Sequence, residues 1–388
     1  MLDKKHIKYF KKILPADFVL SEEGDCWAYG YDNSKMHVMP ECVLFADSKT
    51  QIQDIARYCF ENTIPITTRG RGTGNTGGSV PIENSVVLSL EKMNKIIDID
   101  ISNRLAVVQP GVINKTLQDE LQKENFFWGP DPSSQDYSTI GGNIANNSAG
   151  PRAIKYGTPR DNILGLEFIS GTGEIHKTGV KTSKGVVGLD LTRLFVGSEG
   201  VLGILSEATL KILPLNNSVK TFEITFETLK SASDMIIMLM TQPITPYKLE
   251  FVDEQSVKLI NSIKKNHFEI NTKSAVLLEI DGDVDFIDIQ SKKLLKLMQS
   301  KEHKKITIAE NKIEIAELWK ARKSLSPALK EIGGYKINED IAVPISNLTK
   351  LLNNLSIISK KYGVRIVNFG HAGNGNIHVN LIFDTIKE

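Results

Sequence analysis

The chain has 388 residues, more than one hydrophobic core usually organises, so two domains are expected. Its 47 Lys and Arg against 46 Asp and Glu leave a net charge of +1, which favours neither nucleic acid nor an anionic lipid surface and suits a small, locally recognised ligand. Three scattered cysteines, Cys26, Cys42 and Cys59, with no Cys-x-x-Cys spacing, exclude a disulfide framework and give no zinc or iron–sulfur signature.

Residues 1–20 carry lysines throughout and lack the continuous apolar core of a signal peptide, and no later stretch reaches membrane-spanning length. A cytoplasmic protein is expected. Ile7, Phe10, Ile13 and Leu14 fall on one side of a predicted helix, which packs against the domain or, in the other reading, attaches peripherally to the inner membrane face.

From Pro40 to Pro214 short β-branched runs alternate with glycine-rich turns: CVLFA (42–46), IPITT (64–68), SVVLSL (85–90), RLAVVQP (104–110) and LGLEFIS (164–170). Two segments have helical spacing, 51–62 and 114–125, the second with Asn114 as its N-cap. After Leu213-Pro214 glycine thins out and the rhythm lengthens, which places a domain boundary at 214–218. The second part reads as strand 219–226, helix 228–240, strand 247–253, strand 274–281, helix 284–300 and strand 304–309. That is the β-α-β-β-α-β order of a ferredoxin-like unit with an antiparallel sheet. A long helix (311–331), a strand ending near Pro344, a helix (347–361) and a strand opening at Arg365 follow.

The segment Arg69-Gly70-Arg71-Gly72-Thr73-Gly74-Asn75-Thr76-Gly77-Gly78 exposes backbone amides that can converge on an anion. Residues 72–77 match G-x-G-x-x-G, but Pro81 and a strand-like run follow where a Rossmann motif needs a helix. A P-loop fails too, for want of Gly-Lys-Ser/Thr. What remains is either a plain surface turn or a loop between strands that offers amides, Thr73, Asn75 and Thr76, with Arg69 or Arg71, to a pyrophosphate. Residues 129–160 are again dense in Gly, Asn, Ser and Thr, so they gain little from core burial. Either they stay disordered or a ligand accepts their hydrogen bonds.

Taken in order, RGRGTGNTGG, PDPSS, TIGGNIA, AGPRAIKYG, LGLEFISGTGEI, LFVGSEGVLGILSEATLKILP, EDIAVP and GHAGNGNIH make the chain resemble the FAD-linked oxidases with a vanillyl-alcohol-oxidase (PCMH-type) FAD domain, in their D-lactate dehydrogenase and glycolate oxidase branch. The resemblance implies an α+β protein. Its FAD-binding domain of two α+β subdomains would occupy 1–214, with the PCMH-type core at about 38–214, and a ferredoxin-like cap that binds substrate would occupy 215–388. It implies that residues 69–78 cradle the FAD pyrophosphate, that Pro132, Ser133, Gly141, Gly142 and Asn143 contact the cofactor, and that Glu199, Gly200 and Ile204, with Asn376, line it. Some relatives bind flavin covalently through a histidine near the first loop. No histidine lies between His37 and His176, so non-covalent FAD is expected.

The motif from Gly370 to His378 sets two imidazoles on a glycine-rich turn between strand-like runs, a pattern suited to metal ligation or proton transfer. By resemblance His371 and His378 are two ligands of a divalent metal such as Zn or Mn in members that use one, although Asn374 stands where an aspartate is usual. Relatives also continue past this point with a third ligand, so the cap reads as incomplete at its C-terminus. Arg322 sits on a predicted helix, and an arginine fork binds a carboxylate through two parallel hydrogen bonds; resemblance makes it the substrate anchor, with Lys336 a weaker companion. The expected activity is oxidation of a small D-2-hydroxy acid, D-lactate or glycolate, to the 2-oxo acid. A hydride passes to flavin N5 and then electrons to a quinone, cytochrome or iron–sulfur subunit. The alternative is a non-catalytic FAD-binding subunit or a truncated inactive homologue.

Overall fold

The computed structural model describes residues 3–182, 184–309, 311–332 and 334–383, which divide into two compact units. One comprises Met1–Gly150 and Gly157–Leu215, the other Pro151–Tyr156 and Asn216–Glu388.

The first unit holds two sheets. A four-stranded sheet runs β1 (Val19–Leu20), β2 (Cys42–Phe45), β4 (Val86–Ser89) and β3 (Ile66–Arg69), in that spatial order, with β2, β4 and β3 parallel. Its strands are buried because the helices Lys4–Ile13 and Lys49–Glu61 cover one side, with Phe10, Ile52 and Ile55 in the core. The N-terminal helix therefore spends its apolar face inside the unit, where Phe10 and Tyr9 pack on the Tyr58 ring. Among the described residues no helix is long and apolar enough to cross a membrane.

The second sheet runs β5 (Ile96–Asp100), β6 (Leu105–Val108), β10 (Ile204–Pro214), β8 (Ile163–Ile169) and β9 (Ile175–Gly179), and β7 (Phe126–Trp128) pairs with the far end of β10. Two helix starts differ from expectation. The first helix begins earlier, at Lys49, because the Ser48 hydroxyl accepts from the Gln51 amide. The second opens at Asn114 with Ile113 as its cap residue; the Asn114 amide is buried and donates to Asn143 Oδ1 at 2.9 Å instead of capping.

The second unit is one seven-stranded antiparallel sheet, ordered β14 (Lys305–Ala309), β11 (Ser218–Phe226), β13 (Ser274–Gly282), β12 (Lys248–Val252), β16 (Arg365–His371), β17 (Asn376–Phe383) and β15 (Tyr335–Ala342). The first four strands have the order of a ferredoxin-like sheet, and the last three extend it. One face packs Phe222, Ile224, Phe251, Val276 and Leu278 against the helices Leu229–Thr241, Val284–Gln299 and Leu348–Tyr362. The other face is partly covered by the helix Glu254–Ile263, which the sequence reading left out, and by a bent helical pair. The expected single helix over 311–331 is two, Lys312–Lys323 and Leu325–Glu331. Pro327 has no N–H to return to the Lys323 carbonyl, so the first helix ends there.

The segment Pro151–Tyr156 is tied into this second unit by one buried carboxylate. Asp281 accepts from Lys155 Nζ at 2.5 Å, from the Tyr156 hydroxyl at 2.5 Å and from Asn216 Nδ2 at 2.8 Å. Burial, with the Asp281 charge beside it, pushes the Tyr156 hydroxyl pKa up.

Candidate functional site

Chemistry-bearing residues gather at two places, one in each unit, and they are built on different principles. In the first unit the builder is backbone. The loop after β3 brings residues 70–81 back to β4 without a helix, and Arg69 fastens its base: the buried guanidinium donates to the carbonyls of Tyr31 at 2.7 Å, Ser79 at 3.4 Å and Ala28 at 3.5 Å. Burial lowers the Arg69 pKa, opposed by the nearby Asp32 charge. The Arg69 side chain is thus spent on holding the loop, not on reaching outward. Arg71 pairs with Glu91 at 3.3 Å and is half exposed.

Among the described residues, no backbone amide from Arg71 to Ser79 donates a hydrogen bond within the protein. This run includes Gly72, Thr73, Gly74, Asn75, Thr76, Gly77 and Gly78. Gly72 and Gly77 have φ of +63° and +80°, a conformation that turns successive amides toward a common side and that L side chains rarely adopt.

Three segments of this unit converge. A Cβ on Gly70 would lie 2.4 Å from Thr139 Oγ1, one on Gly78 would lie 2.9 Å from Glu199 Oε2, and one on Gly200 would lie 2.5 Å from Thr68 Oγ1. Several of these glycines therefore serve the approach of loop to loop. Gly74 differs, since a Cβ there meets nothing nearer than 3.9 Å. Close by, Asp32 is buried and its Oδ2 has no hydrogen-bond partner among the described residues. The second loop carries Pro132, buried, and Ser133, exposed, then a short helix, Ile140–Ala145, whose Thr139 cap accepts from the Gly142 amide at 3.1 Å. Gly141 sits against Pro110. Asn143 is buried and its side chain is held by Ser138 and Asn114. Ile204 points its side chain into the apolar core, so only its backbone is available to a ligand.

In the second unit the builder is strand register. Glu223 on β11 and Glu250 on β12 both pair with Leu277 of β13, which puts them in one row on one face. Continuing the Phe251–Gly370 pairing by one residue sets His371 opposite Glu250, and His371 pairs in turn with Asn376. In the next row Val252, Phe369, His378 and Asp340 lie side by side. Residues far apart in sequence thus become neighbours: His371 Nδ1 meets Glu250 Oε1, His378 Nδ1 meets Asp340 Oδ1, and the two imidazole rings stand edge to face at 5.0 Å between centroids.

Arg322, from the helix Lys312–Lys323, reaches down to Glu250 Oε2 at 2.6 Å, its guanidinium 4.5 Å from the Phe369 ring centroid. Burial alone would push the Glu250 carboxyl up, but Arg322 and His371 outweigh it and hold it at about 2. Asp253, partly buried beside neutral donors from Ser256 and Asn368, shows the opposite result: desolvation pushes it up to about 6. A cation within reach decides the direction. Lys336 lies on β15 on the same side as Asp340, four residues away, and so apart from the histidine pair.

The sequence reading brought His371, His378 and Arg322 to one place and missed Glu250 and Asp340. Glu250 is a lone acid in the apolar strand KLEFV, a signal that a buried partner exists. Asp340 lies inside the EDIAVP motif. Among the described residues no group of three His, Cys, Asp or Glu is placed to hold a metal ion, and His371 and His378 supply two of the three protein ligands that catalytic zinc sites use.

A parallel-stranded glycine-loop unit followed by a ferredoxin-like sheet with a charged face defines a class, the FAD-binding oxidoreductases. Residues 40–179 match the family model described as "FAD binding domain", and residues 215–388 match "FAD linked oxidases, C-terminal domain". The chain is 37% identical over 351 residues to the glycolate oxidase subunit GlcD of Bacillus subtilis, covering 90% of this chain and 75% of that one. It is 31% identical over 396 residues to a D-lactate dehydrogenase of Anaerostipes hadrus, covering 98% and 82%. The chain belongs to the FAD-linked oxidase family. Among solved structures, alkyldihydroxyacetonephosphate synthase superposes with a TM-score of 0.81 at 18% identity, covering 99% of this chain and 81% of that one. p-Cresol methylhydroxylase superposes with 0.79 at 18%, covering 98% and 82%. These two share the fold.

Proposed function

We propose that the chain oxidises a small D-2-hydroxy acid, D-lactate or glycolate, to the 2-oxo acid with non-covalently bound FAD. The observation that carries the cofactor half is the run of backbone amides from Arg71 to Ser79 with no acceptor among the described residues, which suits the diphosphate bridge of FAD. Beside the open space above Gly74, the unpartnered Asp32 Oδ2 suits a hydroxyl or amino donor of the same ligand, not its phosphates. In this reading the unit ending at Leu215 holds the cofactor and the one opening at Asn216 binds substrate. When bound, FAD supplies the acceptor for a hydride.

The substrate half is carried by the charged sheet face. Arg322 spends one edge on Glu250 and has further N–H groups with which to take a carboxylate. The Glu250 carboxylate, ionised at neutral pH, fixes the His371 ring through Nδ1 and would stabilise the imidazolium once the other ring nitrogen accepts the substrate's hydroxyl proton. Asp340 does the same for His378. Electrons then pass to a quinone, a cytochrome or an iron–sulfur subunit, in keeping with the description of its relative GlcD as a subunit of glycolate oxidase. The other ligand contacts we propose are Gly70, Gly141, Gly142, Glu199, Gly200, the Ile204 backbone and Asn376.

Anaerobic mixing of the flavin-loaded protein with D-lactate, glycolate and D-2-hydroxyglutarate tests this, read as loss of the oxidised flavin's visible absorption. Bleaching by at least one is expected. A flavin that stays oxidised with all three overturns the activity, and flavin that stays on the acid-denatured chain overturns the non-covalent binding.

A further inference from the structure

The arginine of the charged face leaves one polar atom unaccounted for. Arg322 is largely buried, gives Nη2 to Glu250 and lies over Phe369, yet among the described residues its Nε is buried with no hydrogen-bond partner. A buried N–H without a partner is destabilising, and folded interiors meet such groups with protein or with ordered water. Arg322 also lines a small, partly open cavity of about 20 Å³, whereas one water needs roughly 10–15 Å³.

The polar residues around that cavity are Arg322, Glu250, Glu223 and His267; the others, such as Leu277 and Phe268, are apolar. Glu223 and Glu250 flank Leu277 in the same row, so their strands lie two sheet spacings apart, about 10 Å. Arg322 gives Nη2 to Glu250, and its Nε bonds neither acid among the described residues, which leaves a place for one bridging molecule. His267 Nε2 lies 3.0 Å from Glu223 Oε2, both side chains being nearly buried. On its far side the pair borders an open cleft of about 320 Å³ with Lys264, Lys305 and Glu317, of which Lys264 pairs with Glu317 and Lys305 with Glu269. The cations around Glu223 are thus committed to other acids, and His267 is its partner on this side.

We propose that the cavity holds one structural water that accepts from Arg322 Nε–H and donates to the Glu223 carboxylate, which His267 holds in place. Glu223 and His267 are then positioning residues for Arg322. With Glu250 at one edge, the Phe369 ring beneath and the water at Nε, the guanidinium is fixed in angle as well as in position. Without the water it can rock about its contact with Glu250, and a bidentate grip on a carboxylate depends on that angle. The inference rests on the reading of Arg322 as the substrate anchor, and it concerns binding, because neither residue reaches the reacting atoms.

Two measurements test it. A high-resolution crystal structure of the wild-type protein is expected to show an ordered water within hydrogen-bond distance of Arg322 Nε and Glu223. Anaerobic flavin reduction by D-lactate, followed against its concentration, is expected to give His267→Phe an apparent KM about tenfold higher with the saturating rate within about twofold, the size of one hydrogen bond. His267→Gln keeps an N–H for Glu223 and is expected to stay within about twofold of wild type in both. A cavity without water, an unchanged KM in His267→Phe, or a His267→Gln as impaired as His267→Phe overturns the proposal. If the wild-type flavin is not reduced by any 2-hydroxy acid, the proposed function fails instead, and the water density by itself decides the positioning claim.

Discussion

The glycine loops of the first unit and the charged sheet face of the second solve the problem of holding a polar ligand in opposite ways. From Arg71 to Ser79 the donors are main-chain amides, left unpaired by a loop that has few side chains to offer. Around Glu250 the groups are side chains, each already engaged: Arg322 and His371 with Glu250, and His378 with Asp340. A backbone site is local and tolerates changes elsewhere, whereas a side-chain network in a buried row fails as a unit.

The largest effect that would sharpen this contrast is expected for Arg322→Ala. It strands Glu250 as a buried charge, so the folded state should lose about 3–5 kcal/mol in denaturant unfolding and flavin reduction by substrate should fall by at least about a thousandfold. A loss below about 1 kcal/mol would mean that Glu250 is not the charge that the network serves.

Gly70→Ala comes next. Its Cβ would meet Thr139 Oγ1 at 2.4 Å, so the two loops must part, and FAD affinity measured by equilibrium dialysis is expected to drop by more than about tenfold with some loss of thermal stability. Gly74→Ala separates ligand from fold, because no protein atom stands nearer than 3.9 Å to the new methyl. The apoprotein's melting temperature should hold while FAD binding weakens about three- to tenfold. Equal losses in both would make the loop a structural turn.

The pH response follows from Glu250. Its folded pKa of about 2 lies below the ordinary 4.5, so the stability it contributes is fully present above about pH 4.5 and drains away as the pH falls toward 2. Glu250→Gln should be less stable at pH 7 and show a flatter acid limb in unfolding curves; an acid limb as steep as that of wild type would assign the effect to other carboxylates. The smallest change is expected for Asp340→Asn, where the carboxylate is more than half exposed. Stability should be unmoved and the flavin-reduction rate lowered less than about tenfold.

Much of the fold could be read from the sequence because its signals are local. Six of the seven strands of the second sheet stand as apolar or alternating runs, Tyr335–Ala342 being the exception, and the β-α-β-β-α-β order is visible in them. The helix Glu254–Ile263 escaped because only one turn of its apolar face, around Val257 and Ile260, is buried, and the break at Ser324 because Pro327 sits where a first-turn proline is tolerated. Asn114 looked like a cap and is a buried strut for Asn143, since tertiary packing outbid its local preference.

The amino-acid order alone marked the loops, because their glycine density is a local signal, and it named the histidines and the arginine; that Gly70 meets Thr139 and Gly78 meets Glu199 it did not give. What only the tertiary structure decided is their company. That Glu250 faces His371 across 121 positions, and Asp340 faces His378 across 38, depends on strand order and register, which a one-residue slip would turn to the opposite face.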